Sequence, residues 1–354
     1  MTKSAAVRIT LLTLAVLLAG CISPPAQEQA GDSGDEMATE PVVTADVDAA
    51  ASTVAPALTQ GEERPTFSPS PEMPTVVPTT TAAPTPTPLP AAAGPTSTPP
   101  NSPVTFAVIG DYGLSGQGTQ DVAALVDSWD PDLVLTVGDN NYPDGAAHTM
   151  EANISAHYGR FIAADRFFPT LGNHDMTTEN GKPYLEFFEL PGNERYYDYV
   201  RGDLHFFALN SDWREPDGIR SDSRQAQWLQ EQLSNSTAVW QIVYLHVPPY
   251  VSMADKEVPV LRWPFAAWGA DLVLSGHAHL YERLQVDGIP YVVNGLGGTA
   301  IYPFDETAAP GSQVRFNRDY GALLVVGDWE RLELQFITRE GVVVDSFVVN
   351  VVKS

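Results

Sequence analysis

The sequence predicts an α/β fold of two mixed β-sheets packed on each other and flanked by helices, built from residues 103–354. Three observations lead there. Residues 103–354 hold 33 of the 34 aromatic side chains and all seven histidines, whereas residues 1–102 hold Phe67 alone and 16 of the 30 prolines. Only the later segment can therefore bury a large core. Within it, short apolar runs alternate with helical spacing, and the tail from Ala322 onward is rich in strand-like runs. Sheet on sheet with helices outside is the economical way to bury such elements.

In chain order the first element is an address rather than a fold. Lys3 and Arg8 form a short basic region, and Ile9–Gly20 is an apolar run too short to span a bilayer comfortably. It ends in Leu18-Ala19-Gly20-Cys21, which resembles the lipobox of bacterial lipoproteins. That resemblance implies a signal peptide over residues 1–20, lipid attached at Cys21, and an extracytoplasmic protein anchored to the bacterial cell membrane. Cys21 is the chain's sole cysteine, so a disulfide scaffold is excluded. Residues 21–102 read as a disordered tether rich in Pro, Thr and Ala, because runs such as Ala83-Pro84-Thr85-Pro86-Thr87-Pro88 favour extended polyproline II and bury nothing. The net charge is −25, with 10 acidic and 3 basic residues before position 103 and 34 and 16 after it. Such a surface repels polyanions, so no nucleic-acid partner is expected.

The domain then unfolds as strands that stop at chemistry. Thr105–Ile109 is a buried strand before Gly110, and Gln120–Trp129 has helical spacing at Val122, Leu125 and Trp129. Leu133–Val137 precedes Gly138-Asp139, and Phe167–Leu171 precedes Gly172-Asn173-His174. Phe206–Ser211 is a core strand, and Arg224–Leu233 a helix with Trp228 and Leu229. Trp240–Leu245 precedes His246, and Asp271–Ser275 precedes Gly276-His277. Leu323–Val326, Leu332–Ile337 and Val342–Val352 complete the strands. Five apolar strands thus end on metal-capable groups, and strand carboxyl ends are where α/β sheets bind ligands.

Those ends supply Asp111, Asp139, Tyr142, Asn173, His246, His277 and His279. An oxygen and nitrogen set without thiolate suits Fe(III), Fe(II), Mn(II) or Zn(II). Seven side chains are too many for one tetrahedral ion and enough for two that share a carboxylate. A pair about 3.5–4 Å apart can clamp a phosphate and activate water.

Each motif alone is weak; their order is specific. Gly110-Asp111-Tyr112-Gly113, Gly138-Asp139-Asn140-Asn141-Tyr142, Gly172-Asn173-His174-Asp175, Val243-Tyr244-Leu245-His246 and Gly276-His277-Ala278-His279 resemble, in order, the five blocks of the purple acid phosphatases, within the calcineurin-like metallophosphoesterases. Leu280-Tyr281-Glu282-Arg283 looks like the plant-type members. The resemblance implies a metallophosphoesterase β-sandwich flanked by helices. It implies Asp111, Tyr142 and His279 on Fe(III), Asp139 bridging, and Asn173, His246 and His277 on a divalent ion, Fe, Zn or Mn. Gly113 stands where most metallophosphoesterases carry a histidine, and Tyr142 can fill that position. The implied activity is hydrolysis of small phosphate monoesters by in-line attack of a metal-bound hydroxide. His174 would donate to a phosphoryl oxygen or protonate the leaving alcohol, and Asp175 would either orient His174 or cap a following helix. A phosphodiesterase on the same site and a non-catalytic envelope-binding lipoprotein remain the alternatives.

One departure stands out. The family's further histidine, nine or ten residues beyond the His246 position, is absent from Val251–Lys256, where Asp255 or Lys256 lies near that slot. Arg214, Arg220 and Lys256 are candidate substrate contacts because cations are scarce. His148, His157 and His205 fall outside the motifs and read as surface or core residues, and Asn294–Gly298 reads as a turn near the metal cleft rather than a P-loop.

Overall fold

A computed structural model describes residues 102–351; the expected signal peptide, Cys21 and the expected tether through residue 101 lie outside the described residues. The chain runs β1 (Val104–Ile109), α1 (Gln117–Trp129), β2 (Leu133–Thr136), α2 (Ala156–Ile162), β3 (Phe167–Pro169), α3 (Lys182–Phe187), β4 (Tyr197–Arg201), β5 (Leu204–Ala208), α4 (Arg224–Asn235), β6 (Trp240–Tyr244), α5 (Phe265–Trp268), β7 (Leu272–Ser275), β8 (Tyr281–Val286), β9 (Ile289–Asn294), β10 (Ser312–Phe316), β11 (Gly321–Gly327), β12 (Arg331–Thr338) and β13 (Val343–Asn350). Two mixed sheets result. The first has the order β13-β12-β11-β1-β2-β3, with β1, β2 and β3 parallel and the tail strands antiparallel. The second has the order β10-β8-β9-β7-β6-β5-β4, with β5, β6, β7 and β9 parallel.

The period of two along each strand builds the layers. In β1, Phe106 and Val108 enter the core between the sheets, while Ala107 and Ile109 pack beneath the helices on the other face. Across the interface β6 sends Trp240, Ile242 and Tyr244 into the same core, and its Val243 faces out to Leu229 and Leu233 of α4. Both faces of the central strands are thus covered, which is why they read as unbroken apolar runs. Helix α4 starts where Ser223 accepts a hydrogen bond from Ala226 N at 3.2 Å, a side-chain N-cap.

Two sequence expectations shift. Helix α1 begins three residues earlier than its spacing suggested and buries Val122, Ala123 and Val126 rather than Leu125 and Trp129. Strands β4, β8 and β10 carry too many polar residues to read as core runs. They form because antiparallel pairing satisfies their backbone towards the margins of the second sheet, β8 in a hairpin with the apolar β9, which pairs in parallel with β7.

Candidate metal centre

The parallel strands of both sheets release their chains at one edge, and the turns there interlock. Asp111 N donates to Gly138 O at 3.0 Å, Tyr142 N to Gly113 O at 2.7 Å, and Gly276 N to His246 O at 2.9 Å. Leaving a strand this sharply forces left-handed backbone: Asp111, Asp139 and His277 have φ of 56°, 53° and 67°. Each costs on the order of 1 kcal/mol or more, and such strain collects at functional sites. The glycine before each of these residues is there for space. Gly138 has φ 87°, and a Cβ on it would sit 2.6 Å from His246 Nδ1; one on Gly276 would meet Asp111 Oδ2 at the same distance.

The seven side chains fall into two groups that meet at Asp139. In the first, Tyr142 Oη lies 2.9 Å from Asp139 Oδ2, 3.2 Å from His279 Nε2 and 3.4 Å from Asp111 Oδ1, with His279 Nε2 to Asp111 Oδ1 at 3.3 Å. In the second, His246 Nε2 lies 3.0 Å from Asn173 Oδ1, 3.2 Å from His277 Nδ1 and 3.4 Å from Asp139 Oδ1. Asp139 therefore turns one carboxylate oxygen to each group. The candidate ligand atoms of Asp139, His246 and His277 all lie within 4.8 Å of one another.

The crowding of lone-pair donors is what marks this as a cation site. In the first group two carboxylates and an imidazole nitrogen all stand within 3.4 Å of one phenol oxygen, which has a single hydrogen to offer. Donor atoms held about 3 Å apart also match the edge of a coordination shell with bonds of about 2.1 Å. The residues present therefore fit a metal pair.

The groups at this centre shift one another's protonation. Burial opposes an imidazolium at His246, yet the Asp139 carboxylate overrides it and holds the ring up to about 10. For Asp139, burial opposes the charge and the His246 imidazolium outweighs it, keeping the carboxyl well below its ordinary range. Burial and then the charge on His246 push His277 down to about 4. Burial, reinforced by Asp111 and Asp139, pushes the Tyr142 phenol far above its usual value, so a phenolate there requires a strong Lewis acid beside it.

The supporting contacts sort the remaining candidates. His246 Nδ1 donates to Val137 O at 2.8 Å, which leaves Nε2 as the ligand nitrogen. His279 lies flat on Tyr302, with ring centroids 4.2 Å apart and planes 4° apart. No sequence motif contained Tyr302, which stands 23 residues beyond His279 in an irregular segment. A Cβ at Gly113 would fall about 2.2 Å from Asn140 O, so position 113 has no room for a ligand side chain.

His174 stands at the mouth, 37% exposed at the side chain, its ring tilted over Tyr142 at 4.3 Å and its Nε2 3.9 Å from Asp139 Oδ2. Its Nδ1 donates to Pro143 O. Asp175 does not orient it, and this corrects the expectation. Asp175 is buried, and its Oδ2 accepts from Gly172 N and Asn140 Nδ2 at 2.8 Å and from Asn140 N at 3.1 Å. Those donors lie behind it in sequence, so it caps no following helix either; it ties the Asn173 turn to the Asp139 turn.

Arg214 is committed as well: its guanidinium donates to Asn173 O at 2.9 Å and Met176 O at 2.8 Å and pairs with Asp212, so it positions the Asn173 turn rather than substrate. Arg220 is 74% exposed and faces Asp222. His148 is exposed, and His157 is half-buried. His205 bonds Asp198 and Ser236. Asn294–Gly298 does form a turn behind the site, where a Cβ on Gly295 would lie 3.0 Å from Asp111 Oδ2. Cys21, the expected lipidation site, lies outside the described residues.

Known proteins resemble this chain in sequence and in fold. The profile of the calcineurin-like phosphoesterase family matches residues 104–281. Similar curated proteins include purple acid phosphatase 15 of Arabidopsis thaliana, 27% identical over 58% of this chain and 47% of that protein. A purple acid phosphatase of Glycine max is 28% identical over 60% of this chain and 50% of its own length. The Fe(3+)-Zn(2+) purple acid phosphatase 12 of Arabidopsis thaliana is 27% identical over 61% of this chain and 50% of its own. The chain thus spans about half the length of the curated relatives it matches. Among solved structures, a purple acid phosphatase from yellow lupin seeds superposes with a TM-score of 0.60 at 20% identity, over 71% of this chain and 54% of that one. GAP50 of Plasmodium superposes with a TM-score of 0.59 at 16% identity, over 71% of this chain and 90% of that one. At such identities these two show the fold.

Proposed function

The chain belongs to the calcineurin-like phosphoesterase family, and from that premise we propose that it is a dinuclear-metal phosphatase hydrolysing small phosphate monoesters. The observation that carries this reading is the convergence of six metal-capable side chains, in two groups, on Asp139. Asp111, Tyr142 and His279 would hold Fe(III), Asn173, His246 and His277 a divalent ion (Fe, Zn or Mn), and Asp139 both. The phenol supports iron at the first position, because phenolate is a hard ligand. Such a pair, when bound, neutralises phosphoryl charge and makes water acidic enough to attack phosphorus near neutral pH.

The chain's own residues do the rest. Asp139 and Asp111 offset the cations' charge, and the Asp175 and Arg214 contacts hold the Asn173 turn in register. His174 keeps Nδ1–H on Pro143 O, so Nε2 is the nitrogen free to face substrate. As imidazolium it can donate to a phosphoryl oxygen or hand its proton to the departing alkoxide. A lipid on Cys21 and the tether of residues 21–102 would place this domain outside the cell membrane; this part rests on the sequence.

Metal-loaded protein is expected to hydrolyse p-nitrophenyl phosphate faster than bis(p-nitrophenyl) phosphate. A ratio in favour of the diester makes the protein a phosphodiesterase, and no turnover of either ester sinks the hydrolytic reading. Separately, protein produced with iron is expected to show a visible tyrosinate-to-Fe(III) absorption band that disappears in Tyr142→Phe. A colourless, metal-replete wild type would remove Fe(III) from the first position.

A further inference from the structure

The two groups of the centre hold their histidines in different ways. In the second group, His246 Nδ1 donates to Val137 O at 2.8 Å. That is how a metal-facing imidazole is usually fixed: its other nitrogen binds an acceptor, which sets both the tautomer and the angle of the ring. In the first group, His279 Nε2 faces Tyr142 Oη at 3.2 Å and Asp111 Oδ1 at 3.3 Å, so Nε2 is the nitrogen that a cation would take. A neutral imidazole bound through Nε2 carries its hydrogen on Nδ1. Yet Nδ1 of His279 is buried and has no hydrogen-bond partner among the described residues. The ring that completes the first group is therefore not oriented by a hydrogen bond.

What lies against it is the half-buried ring of Tyr302, 4.2 Å away between centroids and within 4° of parallel. Tyr302 is itself held on every side. The Thr299 hydroxyl donates to Asp111 O, Tyr302 N to His279 O at 2.8 Å, and Asn317 Nδ2 to Tyr302 O at 2.8 Å. Farther along the segment, Asp305 N donates to Ser252 O at 3.0 Å, and the buried Glu282 carboxylate accepts from Ser252 N at 2.6 Å. A plate fixed in this way leaves His279 one plane in which to lie. The face of a phenol ring carries the negative lobe of its quadrupole. An imidazole polarised by a cation on Nε2 is electron-poor, so the stack strengthens as that cation binds.

We infer that Tyr302 is the positioning residue of the first group, its flat ring doing for His279 by stacking what Val137 O does for His246 by hydrogen bonding. The face of the ring carries the effect, and the hydroxyl takes no part in it. This rests on the metal-pair part of the proposed function and is independent of the ester that the centre cleaves.

The test is titration of the full, metal-free chain with Zn(II) in competition with a chromophoric chelator, with circular dichroism on every variant. His279→Ala and His246→Ala first identify which binding step belongs to which group. Tyr302→Leu keeps apolar bulk and removes the flat ring. It is expected to weaken the His279-dependent step about 10- to 100-fold and to leave the His246-dependent step within about 3-fold of wild type. Tyr302→Phe, which keeps the ring, should stay within about 3-fold at both steps. A folded Tyr302→Leu whose His279-dependent step is unchanged overturns the inference and leaves the metal centre and the phosphatase reading intact. Equal loss of both steps in Tyr302→Leu, by unfolding or otherwise, also overturns it, since the tyrosine would then serve the fold at large. A loss in Tyr302→Phe as large as in Tyr302→Leu overturns it in favour of the hydroxyl. Wild type without a His279-dependent step sinks the metal-pair reading and the inference together. Wild type that shows the Tyr302 effect yet cleaves no ester upholds the inference and sinks the phosphatase reading.

Discussion

Asp139→Asn is expected to lower hydrolysis of p-nitrophenyl phosphate by more than about 1000-fold, because loss of even an outer partner of a metal ligand typically costs 10- to 100-fold. Asp139 is the one side chain that faces both groups, with Oδ2 2.9 Å from Tyr142 Oη and Oδ1 3.4 Å from His246 Nε2. An asparagine keeps the volume and one oxygen, and can still accept from His174 N, now at 2.9 Å from Oδ1. Its amide nitrogen, however, presents hydrogens to whichever group it faces and cannot ligate there. It also removes the charge that holds the His246 ring up to about 10, so in the metal-free variant that ring falls back toward its ordinary value. His279→Ala is the companion: it strips the first group alone and should abolish hydrolysis and the iron band together. Elemental analysis, circular dichroism and the p-nitrophenyl phosphate rate check both variants. A folded Asp139→Asn protein retaining a tenth of the wild-type rate would mean that the convergence at Asp139 is not the reaction centre.

The parts of this site that sequence reveals are those whose cause is local. Asp111, Asp139, Asn173 and His277 each stand two to four residues beyond a strand and directly after a glycine, and the need for that glycine lies in the turn itself, as the Cβ clashes at Gly138 and Gly276 make plain. The sheets were legible for the same reason: β1, β2, β6 and β7 are buried on both faces and so read as continuous apolar runs. What escaped depends on how loops cross. Arg214 reaches Asn173 across 41 positions, and Glu282 reaches Ser252 across 30. No spacing rule links such pairs, and an arginine in an acidic chain looked like a substrate contact until its guanidinium proved to be occupied. Position 113 lies between these cases. Its glycine was conspicuous in the sequence as a missing ligand, but that the Asn140 backbone leaves no room there is visible only in the folded loops.

Asp175 is where local reading failed, and its replacement should have the largest effect on stability. Asp175→Ala leaves Gly172 N, Asn140 N and Asn140 Nδ2 without their acceptor in a buried setting, at about 1–3 kcal/mol for each orphaned donor. A destabilisation on the order of 4 kcal/mol is expected in urea unfolding, together with loss of activity as the Asn173 and Asp139 turns separate. Asp175→Asn tests a subtler point. Burial, and then the charge of Asp139, raise the Asp175 carboxyl to about 7 in the metal-free protein, against an ordinary value near 3.8. The folded state then holds a proton that the unfolded chain has released, so this group's contribution to stability falls as pH rises from about 4 to about 7, by up to about 1.4 kcal/mol per pH unit. His246, raised to about 10, adds a separate decline that begins above its unfolded value near 6.5, and the depressed Asp139 adds a slope only below about 4. The difference between wild type and Asp175→Asn, measured after chelation between pH 4.5 and 6.5, isolates Asp175. Asparagine can place its oxygen where Oδ2 now collects three N–H groups and carries no charge toward Asp139. The variant should therefore gain on wild type steadily as pH rises across that window. A difference that stays flat would show that the three hydrogen bonds, rather than burial beside Asp139, govern the charge at Asp175.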